Sequence, residues 1–498
     1  MFRKILILNR GEIAVRIIRT CREMGIRTAT VFSEADRNCM HVHMADEAYA
    51  LKGNTPGETY LHLDHAIEVA ERSHVEAIHP GYGFLSENPE FAQRVDQAGI
   101  KFIGPPAQAI RALGDKTAAR QAAQALGIPT IPGTKEALAD EREAESAAKN
   151  VGYPILLKAA AGGGGKGMRV VNRREELTSA LKASRSEALS AFGDDRVYVE
   201  KLLDCPGHVE IQILADSFGN AIHLGERECS IQRRHQKLIE EAPSTFIDEG
   251  LRRAMGQAAV QLAQSVGYVN AGTVEFLVDG QRRFYFLEVN TRLQVEHPVT
   301  EMLTGIDLVR QQILIAAGQR IPFTQEQVVR HGHAIECRVC AEDPEDHFFP
   351  SAGILKQFVV PQGPNVRVDT GCRVGDNVSI FYDPLMAKVT TWGQDRNEAI
   401  GRMKRALAEF IVQGVKSTIP FSLFAMDNAG FRAGKFDINF VDAHYSPQNL
   451  HSGTLQEEIA AAVAAVLLHS GAQQRRPQLT THQNRSSAWK RIRLEEYR

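Results

Sequence analysis

The stretch Gly162 to Gly167, interrupted only by Lys166, constrains this 498-residue chain more than any other feature. Glycine adds no side chain and tolerates positive φ, so such a loop brings backbone close to a ligand and can cradle phosphates. The apolar run Ile155 to Lys158 enters the loop as a strand, and Met168 to Val171 leaves it as one. Gly162, Gly164 and Gly167 satisfy G-x-G-x-x-G, but a dinucleotide fingerprint should open a helix, so that reading fails. A Walker A loop fails too, because no glycine stands in its first place and Gly167, not Ser or Thr, follows Gly165-Lys166. What survives is a flexible hairpin over nucleotide phosphates, with a ligand-free turn as its alternative.

Around this loop the chain is ordinary for a globular protein, 43% hydrophobic and 24% charged, long enough for about three domains. Lys and Arg number 58 against 60 Asp and Glu, a net charge of -2 that supplies no field for nucleic acid or membrane. Apolar runs such as Ile459 to Leu468 fall short of the roughly 20 residues of a membrane span. Asn9, Arg10 and Glu12 cut off the apolar start Ile5 to Leu8, leaving no export signal, so a cytoplasmic protein is expected. Seven scattered cysteines suit reduced thiols, and Cys337-x-x-Cys340 has no second pair to complete a zinc site.

Strand-like segments Lys4 to Leu8, Thr28 to Phe32, Ala77 to His79 and Lys101 to Ile103 alternate with helical patterns such as His62 to Arg72, predicting a parallel sheet covered by helices and closing near Gly114. A small lid follows, with a charged helix from Asp140 to Lys149. A helix over Ala254 to Val266 precedes a hairpin, Thr273 to Val278 and Arg283 to Val289, turning at Asp279-Gly280. Past His331 come β-rich segments, including Ile354 to Val360 and Val378 to Tyr382, and a helix from Arg396 to Ile411. After Ser446 an Ala-rich helix leads to residues 475 to 498, where seven Lys or Arg face two Glu: a solvated tail or a docking segment.

In the hairpin an even loop would pair Glu275 with Phe286 and put Glu288 on the same face, where two hard carboxylates and Asn290 suit magnesium, although by themselves such residues are more often plain exposed strand carboxylates. The alternating run 288 to 297, if extended, presents Arg292, Gln294 and Glu296 together: a planar fork for an anion beside a base, or a half-buried edge strand. Lys116 and Lys158 offer positive charge near the loop, and residues 225 to 243 gather Arg227, Arg233, Arg234, His235 and Lys237. The glycines and aromatics of 79 to 88 suit a ligand-facing turn or a purely structural one.

Taken together, NRGEIAVR at 9 to 16, HPGYGFLSEN at 79 to 88, GGGGKGM at 162 to 168, the 225 to 243 stretch, EVNTRLQVEHPVTE at 288 to 301, HAIECRVCAEDP at 333 to 344 and YDPLMAK at 382 to 388 resemble biotin carboxylase, the ATP-grasp component of biotin-dependent carboxylases. The resemblance covers about residues 1 to 445 and implies a multidomain α/β and α+β chain. Its expected parts are a Rossmann-like domain over 1–114, an ATP-grasp domain over 115–330 with a mobile lid near 131–203, a C-terminal biotin carboxylase domain over 331–445, and a tail, 446–498. It further implies that ATP is held by Lys116, Lys158, Gly163, Gly164, Gly165, Lys166, Gly167, Met168, Glu200, Lys201, Leu203, His208, Gln232, His235, Glu275 and Glu288. Magnesium or manganese would sit on Glu275, Glu288 and Asn290. Bicarbonate would lie on Lys237, Arg292, Gln294 and Val295, with Glu296 as base, Arg338 stabilising the biotin enolate, and Tyr82 lining the biotin site.

Three positions depart from the family pattern: Gly207 for Arg, Glu228 for Asp, and Cys340 for Asn. No biotin-accepting Met-Lys motif or carboxyltransferase region is recognisable, so the expected partners are a biotin carboxyl carrier protein or domain, a carboxyltransferase subunit, and a second copy in a homodimer. The rival readings are an ATP-grasp ligase that forms amides, disfavoured by the 288 to 301 segment, and a catalytically silent docking subunit, disfavoured by the full set of acidic and basic groups.

Overall fold

Strands β1 (Lys4–Ile7), β2 (Arg27–Phe32), β3 (Glu47–Ala50), β4 (Ala77–His79) and β5 (Lys101–Phe102) form a parallel sheet in the order β3-β2-β1-β4-β5. Its central strands are covered on both faces, which is why they read as unbroken apolar runs: Ile5, Leu6 and Ile7 are fully buried. The computed structural model describes residues 1–134, 136–160, 167–450 and 462–467. Residues Met1–Pro447 form one unit and Gln448–Arg498 another, of which 462–467 are helical. Gly163, Gly164, Gly165, Lys166 and the basic stretch 475–498 lie outside the described residues.

A second, three-stranded sheet is built from β6 (Ile155–Ala159), β7 (Arg169–Val171) and β8 (Val197–Lys201), ordered β7-β6-β8 and antiparallel. Helices Glu141–Val151 and Leu177–Phe192 back it, closing a small core of its own around Ile155, Leu157, Val171, Leu181 and Val199. The strands β6 and β7 flank the glycine stretch, as the sequence pattern requires.

The largest sheet joins β9 (Gly207–Ala215), β10 (Ala221–Arg233), β11 (Gln236–Ala242), β12 (Asn270–Val278), β13 (Phe284–Asn290), β14 (His333–Cys340), β15 (Val366–Thr370) and β16 (Leu385–Gly393). These eight antiparallel strands run β13-β12-β9-β10-β11-β14-β16-β15. Because β11 pairs with β14, with Glu240 opposite Glu336, the sheet continues through the place where the sequence pattern divides at 330/331.

Period-two alternation decides what this sheet presents. In β9, Val209, Ile211 and Ile213 enter the core against Met255 and Leu262 of helix Glu249–Ser265, so His208, Glu210 and Gln212 take the other face. In β14, Ile335, Cys337 and Val339 pack with Val389 and Met403, leaving Glu336 and Arg338 opposite. Cys337 is thus a core residue, and neither it nor Cys340 joins a potential metal group among the described residues. The expected strand Ile354 to Val360 is two, Gly353–Ile354 and Gln357–Val359, because each half finds a different partner. The expected strand Val378 to Tyr382 is limited to Asn377–Val378, and the chain then turns.

Gly371, just after β15, abuts the first turn of helix Gly11–Glu23: a Cβ there would stand 2.4 Å from the carbonyl carbon of Gly11 and 2.7 Å from the amide of Glu12. Backbone cannot swing aside as a flexible side chain can. Gly371→Ala is therefore expected to destabilise the protein by about 1–3 kcal/mol, the usual cost of overpacking, read as a lower denaturation midpoint.

Candidate active site

A cavity of about 970 Å³ opens where the loops after β1 and β4, the polar face of the large sheet and the lid converge. One end is apolar, lined by Ile131, Leu156, Met168, Leu203, Leu277 and Ile438, and suits a flat base; the other end is charged. Asn9 shapes the rim by donating from its amide to the carbonyls of Pro80 (2.7 Å) and Tyr82 (2.8 Å). That pins the 79 to 88 loop and leaves no room for a side chain at Gly81, whose φ is +65°.

Lys237 is the hub of the charged end. Its Nζ donates to Glu210 (2.5 Å), Glu275 (2.9 Å) and Glu296 (2.7 Å). Arg227, fully buried, completes the group by donating to Glu210 at 2.5 Å and to Gln212 and Thr300 at 2.8 Å each. Burial alone would raise the Glu275 and Glu296 carboxyls, but adjacent cations prevail and hold both well below the usual carboxylate range: Lys237 and His208 for the first, Lys237, Arg338 and Arg227 for the second. His208 Nε2 donates to Glu275 at 2.8 Å, and that carboxylate raises the imidazole's pKa against burial. His208, Glu210 and Glu275 bring ligand-type atoms within 4.8 Å of one another, a grouping that holds Lys237's ammonium in its midst.

Toward the lid, Glu200 accepts from Arg120 (2.8 Å) and Lys158 (3.0 Å), all three nearly buried, while Lys116 pairs with Glu288 at 2.9 Å. Burial would lower Lys158, but Glu200 keeps it firmly charged. Lys201 donates to the carbonyls of Gly152 and Tyr153, anchoring β8. Gly167 has φ +72° and would place a Cβ 2.9 Å from that of Ala159, so glycine is required there by both conformation and space.

Around the opposite wall, Arg292 donates to Glu87 (2.7 Å), Asn290 (2.9 Å) and Gln294 (3.1 Å), and Gln294 donates to Glu275 (3.0 Å). Arg338 reaches Glu240 at 2.5 Å and Glu296 at 3.0 Å. Lys388, fully buried, donates to the Val295 carbonyl (2.6 Å) and pairs with Glu12 (2.9 Å), which also accepts from Tyr82.

The sequence-chosen residues Lys116, Lys158, Met168, Glu200, Lys201, Leu203, His208, Gln232, His235, Lys237, Glu275, Glu288, Asn290, Arg292, Gln294, Val295, Arg338 and Tyr82 all line this one cavity. Glu296 does not: it is fully buried beneath Lys237 and Arg338. Two geometric expectations need correcting. Glu275 stands opposite Glu288, not Phe286, because a bulge gives β13 an extra residue and passes Phe286 to Phe276. The carboxylates share a face all the same. Nor is 288 to 297 one extended run: β13 ends at Asn290, and the chain turns into helix His297–Thr304 with Glu296 at its N-cap position. Residues the pattern did not single out are Glu87, Glu210, Glu240 and Lys388; the polar alternation of HVEIQI and LMAKVT marks Glu210 and Lys388, whereas nothing local marks Glu87. Of the departures, Gly207 faces the Phe246 ring, which a Cβ would approach to 3.0 Å, and Glu228 accepts from Ser230 and Ser244, its carboxyl pushed by burial up to about 7. Cys340 lines the cavity.

A lid sheet over an antiparallel sheet, with a cavity apolar at one end and densely charged at the other, is the architecture of the ATP-grasp class. Residues 115–324 match the carbamoyl-phosphate synthase L chain ATP-binding domain, 1–110 the biotin carboxylase N-terminal domain and 336–443 the biotin carboxylase C-terminal domain. The biotin carboxylase of Halalkalibacterium halodurans is 51% identical over 444 residues, 89% of this chain and 98% of that one. Biotin carboxylase 1 of Bacillus subtilis is 49% identical over 445 residues, covering 89% and 99%. The solved biotin carboxylase domain dimer of the Hydrogenobacter thermophilus 2-oxoglutarate carboxylase, in complex with MgADP, ADP and bicarbonate, is 44% identical with a TM-score of 0.88, over 91% of this chain and 99% of that one. The chain belongs to the biotin carboxylase family, ligases that form a C–N bond in the first half-reaction of biotin-dependent carboxylases. Among the described residues no helix is long and apolar enough to cross a membrane.

Proposed function

We propose that this chain carboxylates N1 of a carrier-attached biotin at the expense of ATP and bicarbonate, and that the residues of the cavity divide the work as follows. The observation that carries the reading is Glu296: a fully buried carboxylate gripped by Lys237 and Arg338, two residues that line a nucleotide-sized cavity directly above it. The apolar end takes the adenine, while Lys116, Lys158, Gln232, His235 and the 162 to 168 loop take the phosphates. Glu275 and Glu288, opposed across β12 and β13, are the hard oxygen donors that suit magnesium or manganese, with Asn290 beside them. A divalent ion there would offset phosphate charge.

Bicarbonate rests on Lys237, Arg292, Gln294 and Val295. Its negative charge draws Lys237 and Arg338 away from Glu296, so the carboxylate gains basicity when the substrate is present and takes the bicarbonate proton. The freed oxygen attacks the γ-phosphorus, ADP leaves, and carboxyphosphate breaks down to CO2 and phosphate. Phosphate takes the biotin N1 proton, Arg338 stabilises the enolate-like oxygen, and N1 attacks CO2; Tyr82 lines the biotin end. Positioning and charge neutralisation do the catalytic work.

The same reading places a biotin carboxyl carrier protein or domain and a carboxyltransferase as partners, a homodimer as the assembly, and the cytoplasm as the compartment. Phosphate release measured with and without bicarbonate and free biotin is the test. Cleavage of ATP that requires bicarbonate and rises with biotin is expected. Cleavage driven by an amine, or none at all, would reject the reading in favour of an amide-forming ligase or a silent subunit.

A further inference from the structure

Behind Arg338 lies a second pair of carboxylates that the reaction scheme leaves unused. Glu240 on β11 and Glu336 on β14 are cross-strand partners, and both are fully buried. Side chains directly opposed on antiparallel strands have Cβ atoms only about 4.5–5.5 Å apart. Glu240 Oε1 accepts from Nε (2.6 Å) and Nη2 (2.5 Å) of Arg338, and Glu336 Oε2 accepts from Thr390 at 2.7 Å. The remaining oxygens, Glu240 Oε2 and Glu336 Oε1, have no hydrogen-bond partner among the described residues. Two orphaned, buried carboxylate oxygens on opposed residues are mutually repulsive when both are ionised, whereas one proton between them satisfies both.

We propose that Glu336 carries a proton on Oε1 and donates it to Oε2 of Glu240, so that Glu240 is held between that proton and Arg338, and the pair positions the Arg338 guanidinium toward the cavity. The hydrogen-bond accounting then closes: each of the four oxygens has one partner or more. The surroundings agree. Facing Glu336 are Lys388 and Thr390 from β16, Glu240 from β11 and Arg338 on its own strand; facing Glu240 are Arg338, Lys237 and Glu296 at the start of helix His297–Thr304. Glu12 and Asp369 already draw on Lys388, and His297 behind it is kept neutral by burial. Burial, helped by Glu240 against Lys388, pushes the Glu336 carboxyl up to about 8, and burial raises Glu240 too. With the pair sharing a proton, Arg338 answers to Glu240 and Glu296 alone; with both ionised, a further negative charge would pull the guanidinium into the sheet and away from biotin.

This inference rests on the role proposed for Arg338, but its first test does not. Infrared difference spectra of the ligand-free protein between neutral and alkaline pH should show a buried protonated carboxyl band that Glu336→Gln removes. Wild-type stability toward denaturant should also fall as pH rises from 4.5 toward 8, since the folded state binds the extra proton there, and Glu336→Gln should flatten that slope. In turnover, Glu336→Leu, which leaves Glu240 unsatisfied, should lower kcat about tenfold or more. Glu336→Gln, whose amide replaces the donor, should restore it and lack the alkaline decline of kcat expected of the wild type as Glu336 loses its proton. A band unchanged by Glu336→Gln, or an alkaline decline that persists in it, overturns the proposal. If the spectra behave as expected and no variant alters biotin-dependent turnover, the proton is present and the assignment of Arg338 is what fails.

Discussion

Lys237→Met leaves Glu210, Glu275 and Glu296 without their shared cation, and the expected result is an enzyme that is both less stable and nearly inactive. The side chain is only 11% exposed, and its three carboxylate partners are 4% exposed or less. Removing one member of a buried ion cluster costs about 3–5 kcal/mol, because the charges left behind are neither solvated nor paired. The cluster's own contribution to the pH dependence should change sign. In the wild type, Glu275 and Glu296 have pKa values below the ordinary 4.5, so they contribute stability that is fully present above that pH and lost as it falls further. Without the ammonium, burial raises these carboxyls instead of lowering them, the folded state binds more protons than the unfolded one, and the cluster's contribution falls as pH rises. Denaturant melts of both proteins in acidic and neutral buffers distinguish the two behaviours; parallel curves would refute the hub role of Lys237.

Glu296→Gln removes the proton acceptor while keeping the side chain's volume, at the cost of the charge that Lys237 and Arg338 share. The amide keeps the volume, and its oxygen can still accept from Lys237 or Arg338, but it cannot take a proton from bicarbonate. Loss of a positioned general base costs about 10²–10⁴ in rate, so bicarbonate-dependent phosphate release should fall within that range while nucleotide affinity changes little. The binding prediction follows from position: Glu296 is sealed beneath Lys237 and Arg338 and does not line the cavity that receives the nucleotide. Full activity in this variant would remove Glu296 from the role of base and reassign the proton to another group.

The faces of the strands were legible from the chain because alternation is local. HVEIQI puts Glu210 with His208, and HAIECRV puts Glu336 with Arg338, whatever lies around them. The hairpin carrying Glu275 and Glu288 was legible for the same reason. Its register was not: the bulge sets Glu275 opposite Glu288 on the cavity face while Phe276 and Phe286 enter the core together, which no count along the chain reveals. Burial of Glu296 was equally hidden, since it depends on a turn after Asn290 and on two cations from other strands.

By itself, then, the order of residues determined which groups share a strand face, where the phosphate-type loop lies, and what chemistry those groups can perform. Only the tertiary structure decided which charges meet: Glu87 with Arg292, Glu210 with Lys237, Glu240 with Arg338 and Glu336, Lys388 with Glu12. The reason is the range of the forces involved. Side-chain direction is set by the backbone within two residues, whereas an ionisation state is set by Coulomb interaction and desolvation among groups that folding brings together from distant parts of the chain.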